Sequence, residues 1–144
     1  MTTTEEAGTG VRWKGIYDIA GDQQVGTIVF GPSFTSTQPE VARRWMTGYL
    51  RGIRDYLDAF GPKKKDLDAV AQILAEQTRI SPEVVKRMRP AGLDPDGKLL
   101  MQSLQDDLAY FEQTGSLQQH IDLSSAVDTS FQEYAAQQLG PYAA

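Results

Sequence analysis

The chain carries two kinds of apolar pattern, and each predicts a different element. Residues 25–30 (VGTIVF) end in three consecutive apolar side chains with no polar alternation, which is typical of a strand covered on both faces. A second strand is predicted at residues 11–19, where Trp13 and Ile16 can share one face although Gly15 breaks the alternation.

These two predicted strands are too few for a sheet, because two strands rarely form a stable sheet alone. They pair either with another chain or with earlier strands of a domain that begins before this sequence, and the second explanation is favoured. Pairing of residues 25–30 with a second copy would make the protein a homo-oligomer.

The second pattern is helical and follows the break at Gly31 and Pro32. Thr37 and Glu40 have capping-box spacing, and Pro39 suits a first helical turn. Apolar residues then recur at steps of three and four, which predicts one long amphipathic helix ending near residue 60. Its apolar stripe comprises Val41, Trp45, Tyr49, Ile53, Leu57 and Phe60.

Four more helices are predicted after short links, at about residues 66–78, 81–89, 99–114 and 130–139. Asp66 and Ser81 are predicted N-caps, and residues 94–97 (DPDG) predict a turn. Gly115 is the predicted C-terminal stop of the helix before it.

Length, charge and Cys content exclude some classes of function but do not indicate a specific one. The 144 residues suit one domain, and 40% hydrophobic content is ordinary for a globular protein. A net charge of −5 argues against a nucleic-acid partner, and the absence of Cys excludes disulfides and thiolate chemistry. Residues 1–10 have no basic start and no apolar core, so we expect a disordered segment and no signal peptide. Expressed as written, the chain would be cytoplasmic.

No arrangement of residues predicts catalysis, a metal site or a cofactor. His120 is the single histidine and has no second imidazole or Glu at metal spacing. Thr35 stands where a nucleophile elbow beginning at Gly31 needs its second Gly. The 94–97 turn lacks EF-hand spacing, and no nucleotide-binding glycine motif is present. We therefore expect a protein that is not an enzyme.

Five segments in order resemble the C-terminal part of the substrate-binding proteins of ABC importers, in the nitrate, sulfonate, taurine and pyrimidine-precursor family. They are residues 25–34 (VGTIVFGPSF), 39–56 (PEVARRWMTGYLRGIRDY), 93–97 (LDPDG), 110–115 (YFEQTG) and 127–131 (VDTSF).

The resemblance implies a two-lobed protein with a mixed, mostly parallel sheet in each lobe, which closes on a small solute by hinge motion and delivers it to a membrane permease. The expected fold class is therefore α/β: the helix-rich C-terminal portion of a type II periplasmic-binding-protein-like fold, with about two strands and five helices over residues 11–142. The resemblance also implies a periplasmic or extracytoplasmic location.

If ligand contacts exist in this portion, the strand exit at Phe30, Gly31, Pro32, Ser33 and Phe34 is the first candidate, because ligands of open α/β folds bind outside strand ends. A turn with Phe34 in the core is an equal alternative.

Asp128 is a second candidate for contact with ligand or permease, although its position before a helix favours capping. Two further functions stay open: a stand-alone helical interaction module derived from the family, and more remotely an enzyme that makes the thiamine pyrimidine, as some relatives in the broader fold family do.

Overall fold

The computed structural model describes residues 2–143, and within them the chain forms nine α-helices and no β-strand. The five predicted helices are present, and four short ones accompany them. The helices are α1 (Thr2–Glu6), α2 (Tyr17–Ala20), α3 (Pro32–Thr37), α4 (Pro39–Phe60), α5 (Leu67–Thr78), α6 (Pro82–Arg87), α7 (Met101–Gln113), α8 (Leu123–Ala126) and α9 (Ser130–Leu139).

The predicted α/β class is wrong, because neither predicted strand forms. Helix α2 occupies part of the strand predicted at residues 11–19, and residues 23–31, which include the strand predicted at 25–30, have no regular structure. A strand needs a neighbour that pairs its N–H and C=O groups, and no described residues supply one. The apolar run is left largely exposed, with Val25 86% and Val29 84% accessible.

Gln24 anchors the start of this extended segment by hydrogen bonds that each involve a side chain, unlike the backbone pairing of a strand. Its backbone N–H donates to the hydroxyl of buried Ser103 over 2.9 Å, and its side-chain oxygen accepts from the N–H of Leu100 over 2.9 Å. Gln24 thus holds the segment against the start of α7, where Leu100 is the N-cap residue, through both its backbone and its side chain.

Helix α4 is the central element, and it contacts different partners along its length. Its middle packs against α9, where Leu50, Ile53 and Ala135 are buried together. Its C-terminal end packs against α5, which in turn packs against α6, and the three helices share a second cluster that includes Phe60 and Val85. The predicted stripe is therefore divided: its C-terminal part is buried, while its N-terminal aromatic residues stay partly exposed.

Helix starts follow the predictions in part. The Ser81 hydroxyl accepts from the N–H of Val84, as expected of an N-cap. The capping box predicted at Thr37 is wrong, because Gln38 precedes α4 and the Thr37 hydroxyl donates to the carbonyl of Ser33 in α3. Glu40 pairs instead with Arg43 one turn along α4.

The predicted turn at residues 94–97 is confirmed, and it packs tightly on α4. The Gly97 N–H donates to the carbonyl of Asp94, and Gly97 has φ +70°. A Cβ added there would lie 2.7 Å from Cδ2 of Leu50. Two features therefore favour glycine at position 97: its left-handed backbone conformation and the close approach of α4.

Arg54 ties this turn to α4 and α9. Its guanidinium donates to the Pro95 carbonyl over 3.0 Å, to Asp96 over 2.8 Å and to the Leu139 carbonyl over 3.3 Å. The side chain is only 12% exposed. Helix α4, the 94–97 turn and the end of α9 thus form one connected unit.

Candidate functional site

The predicted ligand residues 30–34, which follow no strand in the structure, lie around a cluster of aromatic rings. Phe30 contacts three other rings edge to face, with centroid distances of 5.4 Å to Phe34, 5.4 Å to Trp45 and 5.6 Å to Phe131. Edge-to-face pairs at this spacing are favourable beyond their buried area. Phe30 and Phe34 therefore join the extended segment and α3 to α4 and α9, which is a packing role.

The three residues between these rings adopt turn and helix-start conformations. Gly31 is the extended residue before α3, Pro32 is its first residue, and the exposed Ser33 contributes its carbonyl to bonds within α3. Ser33 is exposed, and a Cβ added to Gly31 would meet no atom within 4 Å.

Asp128 lies just before α9, next to the N-cap residue Thr129, and its side chain caps the helix start from there. Its carboxylate accepts from the backbone N–H of Ser130 over 2.9 Å, and bonds from Ser130 hold the pKa of Asp128 below its ordinary value. Phe131, three residues later, contacts Phe30. The start of α9 therefore lies beside the 30–34 segment.

His120 makes a surface contact. Its Nδ1 lies 2.8 Å from a carboxylate oxygen of Glu112, and its side chain is 80% exposed. Across the described residues, no group of three or more His, Asp and Glu side chains is placed to hold a metal ion. Every buried side-chain nitrogen and oxygen in that part of the chain has a hydrogen-bond partner.

An open groove of about 370 Å³ runs between α4 and α9, and the sequence had not indicated it. From α4 it is lined by Arg44, Thr47, Gly48 and Arg51, which lie on one face at steps of three and four. From α9 it is lined by Tyr134, Gln138 and Leu139. We call this the arginine groove.

The arginine groove has a cationic lining in a protein that is acidic overall. Two guanidinium groups line it and no carboxylate does, whereas the chain carries a net charge of −5. Gly48 forms an open part of the groove, since a Cβ added there would meet no atom within 4 Å. Arg43 lies over the Tyr134 ring at 5.4 Å and so buttresses one wall.

A polar cluster of Asp58, Lys63 and Tyr142 ties the C-terminal region to α4. The Asp58 carboxylate accepts from the Tyr142 hydroxyl over 2.6 Å and from the Lys63 ammonium over 2.8 Å. The bonds from Lys63 and then from Tyr142 lower the pKa of Asp58, while the bond to Asp58 raises the pKa of Tyr142. Lys63 belongs to the three lysines at residues 63–65, between α4 and α5, and its ion pair with Asp58 gives it a structural role.

The described helices include none that is long and apolar enough to cross a membrane. Comparisons of the sequence and the structure with known proteins found no matching family model, no matching curated protein and no matching solved structure.

Proposed function

We propose that the chain serves as a non-catalytic solute-binding component, or as part of one, in an ABC import system for small organic or anionic solutes such as sulfonates, nitrate, taurine or pyrimidine precursors. The observation that carries the proposal is the presence of five family-like segments in the family's order. Its protein partner would be a membrane permease, and its place of action the extracytoplasmic side of that membrane.

The family-like segments contact one another in the folded chain. Phe30, in the first segment, contacts Trp45 in the second and Phe131 in the last. Arg54, also in the second segment, bonds to Asp96 in the third. Four of the five segments thus meet around α4.

A thermal-shift screen tests the solute-binding role. The purified chain is titrated with sulfonates, nitrate, taurine and pyrimidines at millimolar concentration, because a solute that binds the native state raises its Tm. We expect a saturable rise with one of these classes. No rise with any of them contradicts the proposal.

Two variants then test the predicted solute contacts. Ser33→Ala and Asp128→Asn change exposed side chains, and Asn preserves the ability to cap α9. We expect either change to weaken the ligand-induced rise, while the exposed Gln105→Ala on α7 leaves it unchanged. A rise that persists in both variants rejects these residues as solute contacts.

A second candidate function is protein interaction through the exposed apolar run, with a second copy of the chain as the partner. Val25 and Val29 are both more than four-fifths exposed, and the backbone of residues 25–30 makes few hydrogen bonds within the described chain. An extended segment of this kind can pair edge to edge with its counterpart. A stand-alone helical interaction module would use this surface.

Light scattering after size-exclusion chromatography tests this alternative. We expect a mass that rises toward a dimer with concentration, and a monomer for the double variant Val25→Asp/Val29→Asp. A monomer at every concentration of the unchanged chain rejects it. Because these valines lie outside the predicted solute contacts, the two candidate functions fail independently.

A further inference from the structure

The arginine groove has a size suited to a small molecule. Its volume of about 370 Å³ falls within the roughly 300–1,000 Å³ typical of ligand sites. Two packed helices form its walls, and α9 is held along α4 by the buried cluster around Leu50 and Ala135. The groove is therefore a fixed surface of the most connected part of the molecule.

The two arginines of the groove have no acidic partner within the described part of the chain. Glu40, one turn before Arg44, is paired with Arg43. Asp55, one turn after Arg51, makes no ion pair among the residues that the structure covers. Guanidinium groups match the geometry of oxyanions through paired N–H donors. The charge in the groove thus favours an anion.

The α9 wall adds polar and apolar surface. Tyr134 and the exposed Gln138 line this wall, and the hydroxyl of one and the amide of the other can hydrogen-bond to a ligand. The half-buried Tyr134 ring and Leu139 offer apolar area beside them. A ligand with an oxyanion group and a small apolar or aromatic body would use both halves of the groove.

We propose that the arginine groove between α4 and α9 binds a small organic anion, with Arg44 and Arg51 on its oxyanion group and Tyr134 and Leu139 against its apolar body. None of these residues belongs to the predicted solute contacts. The inference therefore goes beyond the import role and does not depend on it.

Benzenesulfonate is the probe, and binding is followed by amide chemical shifts in a titration of the isotopically labelled chain. Benzyl alcohol serves as the neutral match and sulfate as the anion without a ring. We expect saturable shifts for benzenesulfonate at residues 44–51 and 134–139, weaker binding of sulfate, and no saturable shifts with benzyl alcohol. Binding should weaken as salt is added, because exposed charges are screened.

Variants separate the charge of the groove from its shape. Arg44→Ala/Arg51→Ala should weaken benzenesulfonate binding by at least about tenfold, a loss of about 1.4 kcal/mol. Gly48→Leu should do the same by filling the groove without changing its charge, and Leu is a good helix former. Arg12→Ala/Arg89→Ala, which removes two exposed arginines elsewhere, is the control of equal charge.

The outcomes are decisive for the groove alone. Loss of binding in both groove variants, with binding retained in the control, supports the inference. The absence of saturable shifts, shifts located elsewhere, equal binding of benzyl alcohol, or equal weakening by the control pair overturns it. If a solute from the thermal-shift screen binds and neither groove variant affects its binding, that solute binds outside the groove, and the benzenesulfonate titration alone decides the groove inference.

Discussion

The unit formed by α4, α9 and the 94–97 turn contrasts with the extended segment at residues 23–31. Both carry apolar side chains, yet Leu50 in the first is fully buried and Val29 in the second is 84% exposed. Helices satisfy their backbone groups internally, so α4 and α9 need only to cover one face of each other. The extended segment needs another backbone beside it and has none among the described residues.

The contrast shows that the apolar content of a segment does not by itself determine its conformation in this chain. Apolar side chains favour burial of a segment. Whether the segment also forms a strand depends on a neighbouring backbone that can pair with it. The aromatic cluster covers Phe30, the end of the segment nearest to α4. Residues farther from α4, such as Val25, stay uncovered.

The largest expected effect is that of truncating Leu50. Leu50→Ala should lower the free energy of unfolding by about 2–5 kcal/mol, because it opens a cavity between α4 and α9. Val29→Ala should change it by less than about 0.5 kcal/mol, since the side chain is mostly in water. Urea unfolding followed by circular dichroism measures both. Equal losses would mean that the two regions do not differ as described.

Removing the Arg54 guanidinium should have the next largest effect. Arg54→Met keeps the packed stem but loses bonds to the 94–97 turn and to the end of α9, at a cost of about 1.5–3 kcal/mol. Arg89→Met, at an exposed position, is the matched control and should be nearly neutral. An unfolding midpoint unchanged by Arg54→Met would show that the turn is not held by this residue.

Two glycine substitutions should change stability in opposite directions. Gly97→Ala should destabilise by about 1–3 kcal/mol, because of its left-handed backbone and the nearby Leu50 side chain. Gly52→Ala, in the exposed face of α4 with open space at the added Cβ, should stabilise by about 0.5–1 kcal/mol. Thermal unfolding of both variants gives the sign. A stabilising Gly97→Ala would contradict the close packing of turn and helix.

The smallest effect concerns Asp58 and depends on pH. Its folded pKa is lowered by bonds from Lys63 and Tyr142, so its stabilising contribution is present above the unfolded-state pKa, about 3.9, and is lost as pH falls through the lower folded value. Asp58→Asn should therefore lower the urea midpoint at neutral pH, and the difference should shrink below about pH 4.

Asp55→Asn provides the control for this pH dependence. Asp55 is exposed on the same helix and makes no ion pair within the described residues. Its variant should match the unchanged chain at both pH values. If the Asp58→Asn difference is as large in acid as at neutral pH, the carboxylate's contacts are not its source.

The long helices were predictable because their information is local. The steps of three and four from Val41 to Phe60 define an apolar face, and intrahelical hydrogen bonds need no distant partner. The same locality explains the correct prediction of the Ser81 cap and of the turn at Gly97. The strand predicted at residues 25–30 failed because its partner would be remote, and residue order does not show whether one is present.

Among the candidate sites too, features set by nearby residues were predictable and those set by distant residues were not. Capping by Asp128 follows from its position just before α9. Burial of Arg54 was not predicted, since its carbonyl partners Pro95 and Leu139 lie 41 and 85 positions away. The arginine groove likewise requires α9 to lie beside α4. Arg51 reads as an ordinary solvent-facing residue until that neighbour is known.

Amide hydrogen exchange tests most directly whether residues 25–30 lack a strand partner while α4 is firmly packed. We predict slow exchange at buried α4 amides such as that of Leu50, and rapid exchange at Ile28 and Val29, whose N–H groups have no partner among the described residues. Protection at Ile28 and Val29 equal to that in α4 would show a paired strand and contradict the helical structure described for this chain.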